Sequence, residues 1–410
     1  MKRLIVLCDG TWQDSTTDDL KAHPTNVTLI SRALSPYGVG EDGSLIPQIV
    51  YYQPGVGTSL GDKLRGGIYG AGLSAHIRAA YGFLCHNWDE GDEIFFFGFS
   101  RGAYTARSIA GLVTTLGLLT KRGMDKFPEV YDQYYDHGAG QTEPNFDEGL
   151  LHELRGKGDL RTVGDAVRIV GVWDTVGFHG AGITGEKIEF YNQRLSSHVQ
   201  HAYHALSLDE SRGAFQPTLW EIPRNRVQDL QQVWFSGVHS DVGGGLSDPR
   251  LSNISLAWMI TRCAEANKLA FVDGSGVTDP ADYYLLDHKI PAQQSDNQPW
   301  ATAKGPTKSV VGIVETGLGY MLRLVSHVVP FLNSGVRTPM TQITRDVMTN
   351  ETIHCSIRDR DFSHWPCAPL SGKKAGGRWR LVKPAFESGL EETVPTAVEL
   401  RFKGRIRTVD

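Results

Sequence analysis

A serine between two glycines follows directly on a run of apolar residues in the stretch IFFFGFSRGAYTAR, Ile94 to Arg107. The spacing Gly98-Phe99-Ser100-Arg101-Gly102 is typical of a sharp turn that joins a buried strand to a helix and exposes the serine hydroxyl. Glycines suit this turn because a Cβ would collide with the neighbouring strand or helix. The pattern predicts that Ser100 is a nucleophile; the alternative is that it only begins a tight strand-to-helix turn.

A carboxylate and an imidazole stand in comparable places further along the chain. Asp174 ends the apolar run AVRIVGVWD, and His239 follows the run QQVWFSGV. A serine hydroxyl is a weak nucleophile until an imidazole removes its proton, and a carboxylate can hold that ring in the correct tautomer. The order Ser100, Asp174, His239 is the chain order of α/β-hydrolase triads. The sequence therefore predicts acyl-transfer chemistry at these three residues.

Each partner of the serine has a competing interpretation. Asp174 could instead cap the turn that follows it, in which case Asp209 or Asp241 would be the carboxylate of the triad. His239 could be a structural histidine in a loop. His179 is the nearest rival base, although it follows Asp174 too closely to come from a separate strand.

Backbone donors for an oxyanion are expected at two turns. The N–H of Arg101 would lie at the start of the helix that follows the serine, where unpaired donors favour negative charge. A second donor is expected in the turn after the first strand, from the N–H of Gly10 or Thr11.

Apolar strands and amphipathic helices alternate along the chain. The strand candidates are Leu4 to Cys8, Ile49 to Gly55, Glu93 to Gly98, Ala166 to Asp174 and Gln231 onward; the helix candidates run from Leu73 to the turn at Asp89, from Tyr104 to Leu119, and from Ser252 to Lys268. Such alternation predicts an α/β fold with a mostly parallel sheet covered by helices on both faces. Ligands of such sheets bind beyond the carboxyl ends of the strands, where the three candidate residues would meet.

Two further polar stretches admit a binding function. His198, His201 and His204 recur every three residues, and on a helix they would lie along one side, so a metal site is an alternative to a packed helix with polar contacts. No carboxylate or cysteine pair of diagnostic spacing accompanies them, and neither a metal nor a cofactor is predicted. Gly243 to Gly245 lacks the Lys-Ser/Thr of a phosphate loop and is interpreted as a flexible loop that lets His239 approach.

Composition restricts the class of protein. The 410 residues are 40% hydrophobic and 21% charged with a net charge of −5, and no long basic run suggests nucleic acid as a partner. The five cysteines form no C-x-x-C pair, which favours free thiols and a reducing compartment. The apolar run near the start is too short for a signal peptide, and no uninterrupted apolar run is long enough for a membrane span. A cytoplasmic protein is predicted, and secretion by a non-classical machine stays open.

The chain changes character after about Val277. Polar residues, prolines and glycines lead into the stretch Ser309 to Leu332, whose apolar residues exceed one core-facing stripe. This stretch is predicted to form a cap helix or helix pair over the mouth of the site; the alternative is peripheral contact with a membrane. The predicted division is a catalytic domain over residues 1–275 and a cap or appended region over residues 276–410.

Several motifs together resemble one known family. They are CDGTW, TNV, PGVGT, GFSRGAYTAR, VWDTVG, HALSLDESR with FQPTLW, and GVHSDVGGG, in this order between about Lys2 and Lys268. They resemble the α/β-hydrolase family called domain of unknown function 2235, which includes the phospholipase effectors of the first type VI lipase class. The resemblance implies esterase chemistry, and phospholipid cleavage for secreted members, with the family's Ser, Asp and His at Ser100, Asp174 and His239.

The sequence thus predicts a serine hydrolase that cleaves carboxylic esters, with acyl esters of lipids or phospholipids favoured by the resemblance. A small-ester hydrolase without lipid specificity is one alternative. A binding module that keeps the fold and catalyses weakly is the other.

Overall fold

The computed structural model describes residues 1–10, 23–40, 42–55, 69–135, 146–177, 193–210, 212, 215–265, 269–271, 337, 347–354 and 391–392. Thr11, His179 and the predicted cap segment Ser309 to Leu332 lie outside these ranges.

The strands build one large sheet and two small ones. Their bounds are β1 Arg3–Cys8, β2 Tyr37–Val39, β3 Leu45–Gln53, β4 Glu93–Phe99, β5 Leu118–Leu119, β6 Leu160–Arg161, β7 Val167–Trp173, β8 His201–Ser207, β9 Ile222–Pro223, β10 Asp229–Phe235, β11 Val347–Met348, β12 Glu351–Ile353 and β13 Glu391–Glu392. Within the described ranges the large sheet has nine strands in the order β13-β12-β10-β8-β7-β4-β1-β3-β2. Its pairs are parallel except for β2 with β3. The prediction of a mostly parallel sheet is confirmed.

Helices cover both faces of this sheet. Their bounds are α1 Asn26–Ala33, α2 Tyr69–Asn87, α3 Arg101–Leu116, α4 Phe127–Tyr135, α5 Glu148–Gly156, α6 His239–Gly243 and α7 Arg250–Glu265. One core contains buried side chains of α2 and α3, and the other contains those of α1 and α7. Within β4, Phe96 belongs to the first core and Phe95 and Phe97 belong to the second. Both faces of β4 are therefore buried, which explains why its sequence is an unbroken apolar run.

Parts of the C-terminal region join the large sheet. β12 pairs in parallel with β10, and β13 pairs in parallel with β12. β11 pairs with β9 in a small antiparallel ladder. Glu351–Ile353 therefore extends the large sheet beyond β10. The division at residues 275 and 276 stays a prediction.

Two of the three histidines lie on a strand, and the helical interpretation of their spacing was wrong. His201 and His204 belong to β8, which lies between β7 and β10 and is hydrogen-bonded on both sides. Residues three apart on a strand point to opposite faces, so these side chains do not share one side. Backbone pairing in the middle of the sheet overrides the apparent three-residue period.

Cys8, Cys85 and Cys263 are buried free thiols. No helix in the described ranges is long and apolar enough to cross a membrane.

Candidate active site

Ser100 occupies a strained turn between β4 and α3. Its φ of 59° and ψ of −123° lie outside the regions that a residue with a side chain normally adopts. The Ser100 N–H donates to Trp173 O at 3.0 Å, so the turn is held against the end of β7. Such strain persists only where the surrounding structure enforces it, and it occurs mostly at functional sites.

The two glycines of the turn are required by close backbone approach. A Cβ on Gly98 would lie 2.5 Å from Gly102 O, and one on Gly102 would lie 2.2 Å from Cys8 O and 2.3 Å from Asp9 O. These neighbours are backbone atoms of α3 and of the end of β1, so they cannot rotate away. The glycine spacing therefore lets α3 pack directly against β1 and β4.

Replacing Gly102 with alanine is expected to destabilise the protein by about 3 kcal/mol or more, because the new Cβ overlaps two carbonyl oxygens. Urea denaturation would measure the loss. The control is Gly156→Ala in α5, where a Cβ meets nothing within 4 Å; there we expect a gain of about 0.4 to 1 kcal/mol. If the two substitutions changed the free energy of unfolding equally, close backbone approach would not be the reason for a glycine at position 102.

Asp174 follows β7 and is completely buried at the centre of a dense set of donors. Its Oδ2 accepts from His239 Nδ1 at 2.6 Å and from Ser207 Oγ at 2.9 Å, and its Oδ1 accepts from Ser207 N at 2.9 Å. The Arg337 guanidinium donates Nη1 to Oδ1 at 2.5 Å and Nη2 to Oδ2 at 3.0 Å. Asp174 also has a positive φ of 41°, so this carboxylate is held in an unusual backbone conformation.

The two other candidate carboxylates accept hydrogen bonds from backbone N–H groups. Asp209 Oδ2 accepts from the Gly237 N–H at 2.7 Å, and Asp241 Oδ2 accepts from the Val238 N–H at 3.0 Å. Of these three acids, Asp174 is the one whose carboxylate bonds to the His239 ring.

His239 is the first residue of α6, and its ring is buried between two aromatic side chains. The ring centroids of Phe99 and Phe215 lie 4.6 Å and 4.9 Å from that of His239. Of the predicted flexible loop Gly243 to Gly245, Gly243 is the last residue of this helix and Gly244 caps it. Since an ionised Asp174 only accepts, His239 Nδ1 carries the proton and Nε2 is left as the basic nitrogen.

The structure brings His239 to Asp174 and to Phe99, the residue before Ser100. Among the described side chains, no hydrogen bond joins the His239 ring to the Ser100 hydroxyl. Nucleophile-base hydrogen bonds are often longer without substrate and shorten in the reacting complex. The structure therefore shows a carboxylate-imidazole pair whose ring packs against Phe99, the residue before Ser100.

Burial and charge act in opposite directions on the two ionisable groups. Burial would raise the pKa of Asp174, but the charge of Arg337 and the hydrogen bond from His239 outweigh it and hold that pKa well below its usual range. Burial lowers the pKa of His239, and the Asp174 hydrogen bond and charge only partly restore it. Near neutral pH the site consequently holds an ionised carboxylate and a neutral imidazole.

Arg337 is the residue at this site that the sequence did not reveal. It lies 163 positions after Asp174 and belongs to none of the motifs. No local pattern marks an arginine as the partner of a buried carboxylate so far away in the chain. Only the folded backbone brings the two together.

The predicted oxyanion donors differ in their surroundings. Arg101 is the first residue of α3, next to Ser100, as expected. The Gly10 N–H donates to Asp9 Oδ1 at 2.7 Å and is engaged within its own turn. Thr11 lies outside the described residues, so the second donor stays a prediction.

Asp9 links three elements near this turn. Besides the Gly10 N–H, its carboxylate accepts from the hydroxyls of Thr25, Thr28 and Tyr52 at 2.7 to 3.0 Å. Burial raises the pKa of Asp9, and these donors counteract it. The carboxylate thereby ties the end of β1 to α1 and β3 and joins the CDGTW and TNV motifs in space.

His204 is a neutral structural histidine behind the site. Its Nε2 accepts from the Thr175 N–H at 3.1 Å, so Nδ1 carries the proton and donates to Gln232 Oε1 at 3.0 Å. Burial and the nearby Arg107 charge lower its pKa to about 3. The ring therefore stays uncharged while it holds the backbone next to Asp174.

The other two histidines of this stretch pair with separate carboxylates. His198 Nδ1 lies 3.2 Å from Asp165 Oδ1, and His201 Nδ1 lies 2.6 Å from Asp229 Oδ2. No group of histidine, cysteine, aspartate and glutamate in the described part of the chain could hold a metal ion. The spacing alone was misleading, because the three rings have different environments.

Comparison with known proteins finds one matching family model. The model of the type VI secretion system phospholipase effector Tle1-like catalytic domain matches residues 2–262. An uncharacterized protein of Saccharomyces cerevisiae is 32% identical over 230 residues, which cover 52% of this chain and 32% of the yeast protein. The matched part thus spans about a third of that relative's length.

Two solved structures are also similar in part. An uncharacterized protein from Pseudomonas aeruginosa shares 18% identity at a TM-score of 0.42, over 66% of this chain and 46% of the other. The Tle1 effector bound to the VgrG spike of the type 6 secretion system shares 18% identity at a TM-score of 0.33, over 60% and 51% of the two chains.

Proposed function

The chain belongs to the Tle1-like catalytic-domain family of type VI secretion phospholipase effectors, and from this premise we propose that it is a serine hydrolase of lipid acyl esters that uses Ser100, His239 and Asp174. The observation that carries the proposal is the 2.6 Å hydrogen bond from His239 Nδ1 to the buried Asp174, beside a serine with a strained positive φ. The family supports a lipid ester as the substrate, and the side chains supply the mechanism.

In the first half of the reaction, Ser100 Oγ attacks the ester carbonyl carbon while His239 Nε2 takes the hydroxyl proton. Asp174 stabilises the imidazolium without itself accepting the proton. The tetrahedral oxyanion forms near the start of α3, where the Arg101 N–H is the proposed donor. When the intermediate collapses, His239 returns the proton to the leaving alcohol, and the acyl group remains on Ser100.

The second half repeats these steps with water. His239 Nε2 takes a proton from the water as its oxygen attacks the acyl carbonyl. The new intermediate expels Ser100 Oγ, which regains a proton from His239, and a carboxylic acid leaves. The carboxylate-imidazole pair thus serves as base and then acid in each half.

A substrate panel tests the proposed substrate class. Wild-type protein is assayed on short-chain esters, long-chain esters and phospholipid vesicles. We expect preference for the long-chain or vesicular substrates, because each buried methylene contributes about 0.8 kcal/mol to binding. Activity confined to short esters would contradict lipid specificity and favour the small-ester alternative. A protein that a fluorophosphonate probe fails to label would favour the weakly catalytic binding module.

The pH dependence of kcat/KM follows from the state of His239. Its pKa is lowered from the ordinary value of 6.5 because burial disfavours the charged ring. Only the neutral ring can accept the serine proton, so kcat/KM should fall as the solution is acidified through the lowered pKa, with its half-point below pH 6.5. Initial rates in a constant-ionic-strength buffer series measure this limb. A half-point above pH 7 would contradict the assignment of His239 as the base.

Contact with a membrane and the route of export stay proposals. The predicted cap segment lies outside the described residues, and lipid contact by it rests on its apolar sequence alone. Membership of an effector family supports secretion by a non-classical machine.

A further inference from the structure

The Arg337 side chain occupies the space directly behind Asp174. It is 1% exposed, and its two terminal nitrogens contact the two oxygens of the carboxylate. The same guanidinium donates from Nη1 to Ser207 O and Oγ, at 2.7 Å each, and from Nη2 to Phe215 O. A planar guanidinium that meets both carboxylate oxygens restricts the rotation of that carboxylate, which a single hydrogen bond cannot do.

This arrangement links three parts of the site. Ser207 ends β8, Asp174 follows β7, and the Phe215 ring packs against His239. Arg337 donates hydrogen bonds to Ser207 and Asp174 and a further one to the carbonyl oxygen of Phe215. It therefore sets the position of the carboxylate relative to the imidazole that the carboxylate orients.

The charges around His239 show why Arg337 matters electrostatically. Glu210 accepts from the His239 backbone N–H at 3.3 Å and is paired with Arg212. The charge of Arg212, and after it that of Arg337, lowers the pKa of His239. The Asp241 carboxylate, on the same short helix, accepts from the Val238 N–H.

The Asp174 carboxylate bonds to the ring itself, and Arg337 is the cation paired with that carboxylate. Asp174 without a cation would attract a proton to the imidazole more strongly. Arg337 therefore offsets the negative charge of the carboxylate that bonds to the His239 ring.

We propose that Arg337 is a positioning residue for the hydrolysis: it fixes both oxygens of Asp174 and offsets their charge where the carboxylate meets the His239 ring. The proposal rests on the proposed function of Ser100 and His239. It also places a determinant of the site beyond residues 2–262, which the family model matches.

The test uses the full chain and a fluorophosphonate, which reports the reactivity of Ser100 without knowledge of the natural substrate. Labelling rates are measured from pH 5 to 9 for wild type, Arg337→Met, Arg337→Lys and the control Arg155→Met, which removes an exposed arginine of α5. For Arg337→Met we expect the half-point of the rate to rise by about one pH unit and the plateau to fall about tenfold or more. For Arg337→Lys, which keeps the charge and loses the two-point contact, we expect a lower plateau with the half-point near that of wild type.

An unshifted half-point in Arg337→Met, even with a lower plateau, would reduce Arg337 to a structural role and overturn the proposal. If Arg337→Met does not fold, Arg337→Lys decides: a plateau equal to that of wild type would overturn it. A shift of the same size in Arg155→Met would also overturn it, because the loss of any cation would then be enough to move the half-point. Failure of the proposed function looks different, since wild-type protein would remain unlabelled at every pH and both proposals would fall.

Discussion

Ser100→Ala is expected to lower kcat for ester hydrolysis by about a million-fold, the size of effect seen when a serine-hydrolase nucleophile is removed. The hydroxyl is the only atom lost, and alanine meets the same backbone strain at this positive φ as serine does. We therefore expect the free energy of unfolding to stay within about 0.5 kcal/mol of wild type. Steady-state kinetics and urea denaturation on the same preparations measure the two quantities.

The matched control for this change is Ser108→Ala. Ser108 belongs to α3, the helix that Ser100 precedes, and is also buried. Ser108→Ala should leave kcat within about twofold of wild type, since Ser108 lies about two helical turns away from the reacting atoms. Ester hydrolysis that persists undiminished in Ser100→Ala would remove Ser100 as the nucleophile, whatever the control shows.

Asp174→Asn should combine the loss of activity with a loss of stability. We expect kcat to fall about 10⁴-fold, because an amide no longer holds His239 in the tautomer that leaves Nε2 basic. The change also leaves the Arg337 guanidinium buried without its counterion, which typically costs about 3 to 5 kcal/mol. Kinetics at the plateau of the pH profile and denaturant titration measure the two effects.

A double change separates these two effects of Asp174. Combining Asp174→Asn with Arg337→Met removes both charges, so part of the lost stability should return while the activity stays low. The exposed Asp165, which pairs with His198, is the control: Asp165→Asn should change neither quantity much. Wild-type activity in Asp174→Asn would mean that another acid serves His239.

Local patterns carried much of the fold and the identity of the candidate residues. The run before Ser100 is apolar throughout because both faces of β4 are buried, so its sequence indicated a central strand without any knowledge of its neighbours. The glycines at 98 and 102 indicated the turn because close backbone approach excludes every other residue type there. The carboxyl ends of parallel strands meet at one edge of a sheet, and this indicated that Ser100, Asp174 and His239 could lie close together.

The sequence predicted the boundaries of helices and the conformation of some segments less well. The helix after Ser100 begins at Arg101, three residues before its apolar period becomes visible, because the turn residues themselves enter the helix. The histidines at 201 and 204 suggested a helix by their spacing, yet pairing with β7 and β10 placed them on a strand. A three-residue period is weak information when backbone hydrogen bonds on both sides favour extended structure.

The sequence by itself determined the α/β class, the serine turn and a short set of acids and bases, because these depend on periodicity and on residue types at fixed spacing. Only the tertiary structure decided that Asp174, rather than Asp209 or Asp241, bonds to His239, and that Gly10 donates its N–H to Asp9. It alone placed Arg337 against Asp174, across 163 positions of chain. Long-range contacts between buried charges are set by how the strands and loops converge, and no local pattern encodes that convergence.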